Sequence, residues 1–330
     1  MINRKAIGYI TANYTCRTSS KLTECRPLAA LPVFGRYRLI DFPLSNMMNA
    51  GIKTVGVVMP SIYRSLIDHM ESGRDWMLDS KKGGLFLLTG NAFGASKRGM
   101  RFLLRDIIAN KTLFQRSDLP YVVMCGCNII FNIDLAEIID AHERSGAHAT
   151  MVYCRAEREH DDDVTALEIG EAGRVHALHA GCSFGDNKFL DCCVINRNVL
   201  LDIIDNYQDV DHLDLFEAIE PEFGRIDVCS YEFKGLALGV FDEQSYYQRS
   251  MEMLRPDLND RLFNPDRPIM TKAHDAPPAK YCTGSTVCNS LVSAGCLIQG
   301  TVRGSILARD VIVEHCASVS NSIIMQSCVI

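Results

Sequence analysis

The chain has 330 residues, 47% of them apolar and 22% charged, a balance that builds a packed core and excludes an intrinsically disordered chain. Its formal net charge of −6 gives no global attraction for nucleic acid or an anionic membrane, so an anionic ligand would need a local basic cluster. The length suits one large α/β domain with a smaller module.

The N-terminus opens on an apolar stretch too short for a signal peptide and without a small-residue cleavage site. No run of 18 apolar residues follows anywhere, which excludes a membrane-spanning helix. The 14 cysteines are scattered, and many sit inside apolar runs, as Cys125, Cys154, Cys192, Cys193, Cys229 and Cys296 do. They read as buried free thiols of a reducing cytoplasm. Cys125-x-Cys127 reads as core packing rather than as a metal pair.

Strands are expected at 6–12, 54–59, 121–125, 149–154 and 191–195. Helices are expected at 43–50, 62–71, 101–109, 134–145, 197–206 and 243–254. This alternation predicts a Rossmann-like domain with a mostly parallel sheet and helices on both faces. In Asp41–Met59, Pro43 suits the first turn of a helix, Gly51 its C-terminal cap, and Thr54–Met59 a buried strand. A ligand belongs beyond the carboxyl ends of the parallel strands, near Thr11–Cys16 and Cys125–Asn128.

From about 255 the texture changes. The stretch to Tyr281 is rich in Pro, Asp and Asn, shows no helix period, and reads as an ordered connector anchored by Leu262, Phe263, Ile269 and Tyr281. Beyond it Val292, Ile298, Leu307, Val313, Val319, Ile324 and Ile330 fall mostly at steps of six, the spacing of a left-handed parallel β-helix. The breaks from Ile298 to Leu307 and from Val319 to Ile324 are expected to be corner adjustments. The expected organisation is an α/β domain over 1–255, a connector over 256–284 and a β-helix over 285–330. Ile330 falls in mid-coil, so the expectation is either truncation or a covering partner.

Several segments carry a resemblance. Arg36-Tyr-Arg-Leu-Ile-Asp-Phe-Pro-Leu-Ser-Asn46, Pro256-Asp-Leu258, Pro277-Pro-Ala-Lys-Tyr281, Asn289-Ser-Leu-Val-Ser293 and Gly295-Cys-Leu-Ile298 are similar to segments of the ADP-glucose pyrophosphorylase (glucose-1-phosphate adenylyltransferase) family. The resemblance spans nearly the whole chain. The family makes ADP-glucose from ATP and glucose 1-phosphate with Mg²⁺, in bacterial glycogen biosynthesis.

Set against that family, the chemistry looks lost. The glycine-rich phosphate loop corresponds here to Ala12-Asn13-Tyr14-Thr15-Cys16-Arg17. Side chains at three former glycines block the close backbone approach that phosphate needs. The catalytic arginine column holds Thr18, with Arg17 one place away. Cys127 stands where the family places a metal-binding Asp, and a thiol is a poor ligand for Mg²⁺. The second metal carboxylate falls at Gly239, and the sugar-phosphate lysine motif falls around Gly181. The resemblance therefore implies a regulatory (GlgD-type) pseudoenzyme with no catalytic residue, metal or cofactor of its own.

Such a subunit would pair with a catalytic homologue in a heterotetramer. Arg26, with Arg36 and Arg38 close by, falls where the family binds a sugar-phosphate effector. Alternatives are an active adenylyltransferase, or a protein that binds a sugar phosphate or nucleotide without turnover. His315 in the β-helix reads as an inert surface residue. The charge run of Glu157, Glu159, His160 and Asp161–Asp163 reads as a solvated loop.

Overall fold

The computed structural model describes residues 5–13, 21–90, 101–157, 161–207 and 214–330. The first strand, β1 (Ala6–Thr11), is buried along its whole length. Its side chains alternate between two cores, with Ala6 and Ile10 in one and Ile7 and Tyr9 in the other, as a strand covered on both faces requires.

After β1 the chain forms a short front hairpin of β2 (Pro32–Val33) and β3 (Tyr37–Arg38), then α1 (Asp41–Asn49), β4 (Thr54–Met59), α2 (Arg64–Met70) and β5 (Gly84–Thr89). Helices α3 (Leu104–Ala109) and α4 (Lys111–Gln115) lead to β6 (Tyr121–Cys125) and β7 (Ile129–Phe131). Next come α5 (Leu135–Ser145), β8 (Ala149–Arg155), β9 (Asp161–Ile169), β10 (Val175–Cys182), β11 (Asn187–Asn196) and α6 (Arg197–Asn206). The domain closes with α7 (Leu215–Ile219), β12 (Val228–Glu232), β13 (Ala237–Gly239) and α8 (Glu243–Glu252).

The main sheet runs β10-β9-β11-β6-β1-β4-β5, with β8 on β11 and β12 on β8. Its β6-β1-β4-β5 half is parallel. Strand β11 pairs antiparallel with β6, Cys192 opposite Cys125, and their sulfurs approach to 3.5 Å. Helix α5 begins on Asp134, whose carboxylate accepts from the N–H groups of Ala136 and Glu137, and ends at Gly146 in the left-handed conformation, the usual pairing of an acidic N-cap with a C-terminal glycine.

One expectation is corrected. The stretch from 255, read as lacking a helix period, forms α9 (Pro256–Leu262). Proline sits in its first turn, Asp257 follows at the positive end of the dipole, and Leu258 and Leu262, four apart, face the core,. A seven-residue helix is too short to show two turns of period.

The remaining strands make three flat three-stranded parallel sheets: Lys280–Tyr281, Leu297–Ile298 and Ile312–Val313; Thr286–Cys288, Thr301–Arg303 and Ser318–Ser320; Leu291–Val292, Ile306–Leu307 and Ile323–Ile324. This is a left-handed β-helix. Its interior holds Cys296, Ile298, Val302, Leu307, Val311, Val313 and Val319. The Ile298–Leu307 break is not a corner adjustment: Val302 lies between them and stacks on Val319, so a complete side of the coil is present with shortened steps.

The β-helix packs on the front of the first domain. Gly35, at φ +79°, has no room for a side chain, since a β-carbon would meet the Ser293 hydroxyl and lie 3.1 Å from the Leu307 carbonyl. The Tyr247 hydroxyl donates to the Asn321 carbonyl at 2.8 Å. Among the described residues no helix is long and apolar enough to cross a membrane.

Candidate functional site

Parallel pairing carries the predicted positions to one end of the sheet. Ile10 of β1 lies opposite Cys125 of β6, so Ala12 and Cys127 follow on neighbouring strand ends. Strand β13 pairs with β7, Gly239 opposite Ile129, and the Val240 N–H donates to the Asn128 carbonyl at 2.7 Å. Ala12, Cys127 and Gly239 therefore lie around one strand-end region. Gly181, at φ +84°, sits at an irregular step of the β9–β10 ladder. Its neighbour Cys182 shares a hollow of about 930 Å³ with Gly239 and Lys188. Tyr14, Thr15, Cys16, Arg17 and Thr18 lie outside the described residues, as do Glu159 and His160 of the charge run.

The groups at these positions are unsuited to metal chemistry. Cys127 is fully buried, and burial pushes its thiol far above the usual range, so it stays protonated. At Gly239 the Phe241 ring fills the space a side chain would take, with its Cζ 2.8 Å from the β-carbon position. Asn13 donates from Nδ2 to Asp106 at 2.8 Å, tying the strand end to α3. Among the described residues no three His, Cys, Asp or Glu side chains gather as a metal site. The donor set does not fit Mg²⁺, which needs hard oxygen ligands in octahedral array.

In place of a metal site the strand ends hold a buried polar cluster that the sequence reading missed. Asp191, left-handed at φ +49°, accepts from Arg101 Nε at 3.1 Å, and Arg101 also donates to the Asp163 carbonyl at 2.6 Å. Burial raises the Asp191 carboxyl while Arg101 pulls it down. Asp163 is itself buried, which corrects the solvated-loop reading for that residue. Nothing in the sequence joins Arg101 to Asp191 except the fold.

Asp214 accepts from the backbone N–H groups of Arg101, Phe102 and Phe216 at 2.8, 2.7 and 2.9 Å. Burial outweighs these bonds and pushes its carboxyl up to about 6. The folded chain then holds a proton that the unfolded chain releases near pH 4, so this contribution is full at low pH and is lost as pH rises toward 6. About two pKa units correspond to roughly 3 kcal/mol. Urea unfolding between pH 4 and 7 should show the parent losing about that much relative to Asp214→Asn, on top of a pH-independent cost to the variant of about 1–3 kcal/mol. Parallel pH profiles would contradict the assignment.

The predicted arginines gather at the front of the domain. The Arg38 side chain donates to the Ser65 carbonyl at 2.6 Å, and its backbone N–H donates to Asp41 at 2.9 Å. Asp41 is also held by His69 Nε2 at 2.5 Å. The Arg36 guanidinium lies over the Tyr37 ring, 4.6 Å from its centre. A fourth arginine, Arg309, arrives from the β-helix. Burial lowers the pKa of Arg38, and the nearby Arg26 and Arg309 lower it further. Burial and Arg36 do the same to Arg309. Arg36 and Arg309 line a second hollow of about 600 Å³ together with Lys272 and His274. Arg309 lies far along the chain from the other three, and only the packing of β-helix on domain identifies it.

Residues 20–179 match the nucleotidyl transferase family model, and residues 277–330 match the GlmU-like C-terminal hexapeptide model. The chain is 32% identical over 94% of its length to the glycogen biosynthesis protein GlgD of Bacillus subtilis, covering 81% of that protein. It is 34% identical to the GlgD of Geobacillus stearothermophilus, over 94% of this chain and 81% of that one. It is 30% identical to a glucose-1-phosphate adenylyltransferase of Thermomicrobium roseum, over 84% of this chain and 67% of the relative.

Proposed function

We propose a function from the premise that this chain belongs to the family of the glycogen biosynthesis protein GlgD: it is a regulatory subunit without nucleotidyl transfer of its own, acting on a catalytic glucose-1-phosphate adenylyltransferase. The observation that carries the reading is the state of the strand ends. A buried protonated thiol stands at 127, and at 239 an aromatic ring occupies the room of a carboxylate. Electrostatic stabilisation by a metal and its ligands has no substitute for catalysis there, and each such loss costs powers of ten in rate.

A chain with an intact scaffold and no chemistry acts through its surfaces. The heterotetramer with a catalytic relative and the response to an anionic effector are parts of the proposal. The four front arginines supply the effector site: planar guanidinium groups bind phosphate bidentately, and their crowding leaves positive charge that Asp41, Asp68 and Asp310 offset in part. An anion there joins the front hairpin to the β-helix, which gives two global states a differential contact.

Mixing the purified chain with a catalytic relative tests the reading. The pair is expected to co-elute at a mass above either protein alone and to shift the partner's apparent substrate or activator affinity by about 5–150-fold, the span of about 1–3 kcal/mol of coupling. Separate elution with unchanged kinetics would refute it.

A further inference from the structure

Strand β5 forms one edge of the main sheet, with β4 on its inner side and, among the described residues, no strand beyond it. The Gly84 N–H donates to the Lys53 carbonyl at 2.7 Å, which fixes the phase of the parallel ladder. Alternate residues turn their backbone groups toward one neighbour, so Gly84, Phe86 and Leu88 face β4, while Leu85, Leu87 and Thr89 face outward. The outward Leu85 N–H is taken by the Leu78 carbonyl at 2.9 Å, and the Thr89 carbonyl by Asn110 Nδ2 at 2.8 Å. The Leu85 carbonyl, both backbone groups of Leu87 and the Thr89 N–H have no protein partner among the described residues. The Phe86 and Leu87 side chains point to opposite faces, and each is 43% exposed. An apolar edge with free backbone groups is a template for one more strand.

The start of this edge carries the charge that selects its occupant. A hollow of about 380 Å³ there is lined by Lys53, Lys81 and Lys82 with the Thr54 and Ser80 hydroxyls, and no carboxylate is in its lining. Asp79 and Asp118, close by along the chain, lie outside that lining. The loop that brings the lysines together is fixed. Gly83 sits at φ +96°, and a β-carbon on it would lie 2.6 Å from the Lys53 carbonyl oxygen and 2.8 Å from the Thr54 hydroxyl. We propose that the β5 edge receives an extended segment of a partner protein, paired antiparallel, apolar where it meets Phe86 and Leu87 and acidic in the residues that follow. Antiparallel pairing is the more stable ladder, and it carries the C-terminal end of the added strand to the three ammonium groups, where acidic side chains complement them. Charge also decides against a second copy of β5. Across a two-fold axis its exit, Thr89-Gly-Asn91, would lie at the lysines and offers no acid. The lysines stand at the amino ends of β4 and β5, the opposite end of the sheet from Ala12 and Cys127, so this surface is independent of the regulatory reading.

Fluorescence anisotropy on the full chain tests this with a labelled peptide, Thr-Val-Ile-Val-Thr-Thr followed by three glutamates. The peptide is expected to bind. N-methylation of alternate peptide residues removes the strand hydrogen bonds while leaving the protein untouched, and should weaken binding about tenfold or more. Exchanging the glutamates for lysines should weaken it at least as much, through like-charge repulsion. Lys81→Gln with Lys82→Gln should weaken it about fivefold or more, since exposed ion pairs contribute modestly. Arg26→Ala with Arg309→Ala should leave it unchanged, which separates this edge from the effector cluster. Thermal melts check that each variant is folded. Equal binding of the N-methylated peptide would reduce the surface to plain attraction for an anion and overturn the proposal. Equal binding of the lysine-tailed peptide, an unchanged affinity in the Lys81 and Lys82 variant, a loss in the Arg26 and Arg309 variant equal to that one, or no binding at about millimolar peptide would overturn it as well.

Discussion

Supplied with ATP, glucose 1-phosphate and Mg²⁺, the purified chain is expected to form ADP-glucose at least about 10⁴-fold more slowly than a catalytic relative. The magnitude follows from two absent metal ligands, each worth about two or more powers of ten when an electrostatic group is removed from a reacting site. Restoring carboxylates is not expected to restore the rate. In Cys127→Asp a carboxyl enters a fully buried position and meets the desolvation that already keeps the thiol protonated. In Gly239→Asp the new β-carbon collides with the Phe241 ring, and overpacking of that kind costs about 1–3 kcal/mol of stability. ATP is expected to bind no tighter than about millimolar, roughly −4 kcal/mol. Turnover by the unaltered chain that disappears in Cys127→Ala would defeat this account.

In the assembly with a catalytic relative, Arg26→Ala and Arg309→Ala are each expected to remove most of the response to a phosphorylated activator, taking an effect of up to about 150-fold to within a few fold. The two arginines approach the same place from different bodies, Arg26 from the front of the domain and Arg309 from the β-helix. An anion held between them loses its bridging character when either is removed. Arg36→Ala should do less, because its guanidinium is exposed and stacked on Tyr37. Elution of the mixed assembly should be unchanged in all three variants. A retained response in both Arg26→Ala and Arg309→Ala would return these residues to ordinary surface charge.

Much of the scaffold was legible because the period of burial is written in short windows. Strand Thr54–Met59 and helix Arg197–Asn206 fall where the sequence places them, and hydrophobic alternation alone decides such elements. Helix α9 was not legible, since seven residues rich in Pro, Asp and Asn make just under two turns and give no period to read,. Val302 was missed because the coil shortens its steps around it. In the strand-end region, Cys127 and Gly239 could be singled out by resemblance, since each replaces a residue of defined chemistry. Lys188, Asp191 and Arg101 could not. They meet through an antiparallel turn-back of β11 on β6 and a loop entry at Arg101, and no spacing along the chain encodes either.

The bare glycine at the seam sets a rule for exchange of parts. Because Gly35 presses on Ser293 and the Leu307 carbonyl, the solenoid is not a freely replaceable attachment. Its own ladders would survive transplantation from a relative, and so would the sheet of the larger body. A chimera spliced within the connector meets this constraint together with the Tyr247–Asn321 contact, and the donor coil must leave the same hollow opposite residue 35. A side chain gained at residue 35 therefore has to be met by room on the coil at Ser293 and Leu307, and the two bodies fit as a matched pair rather than as cassettes.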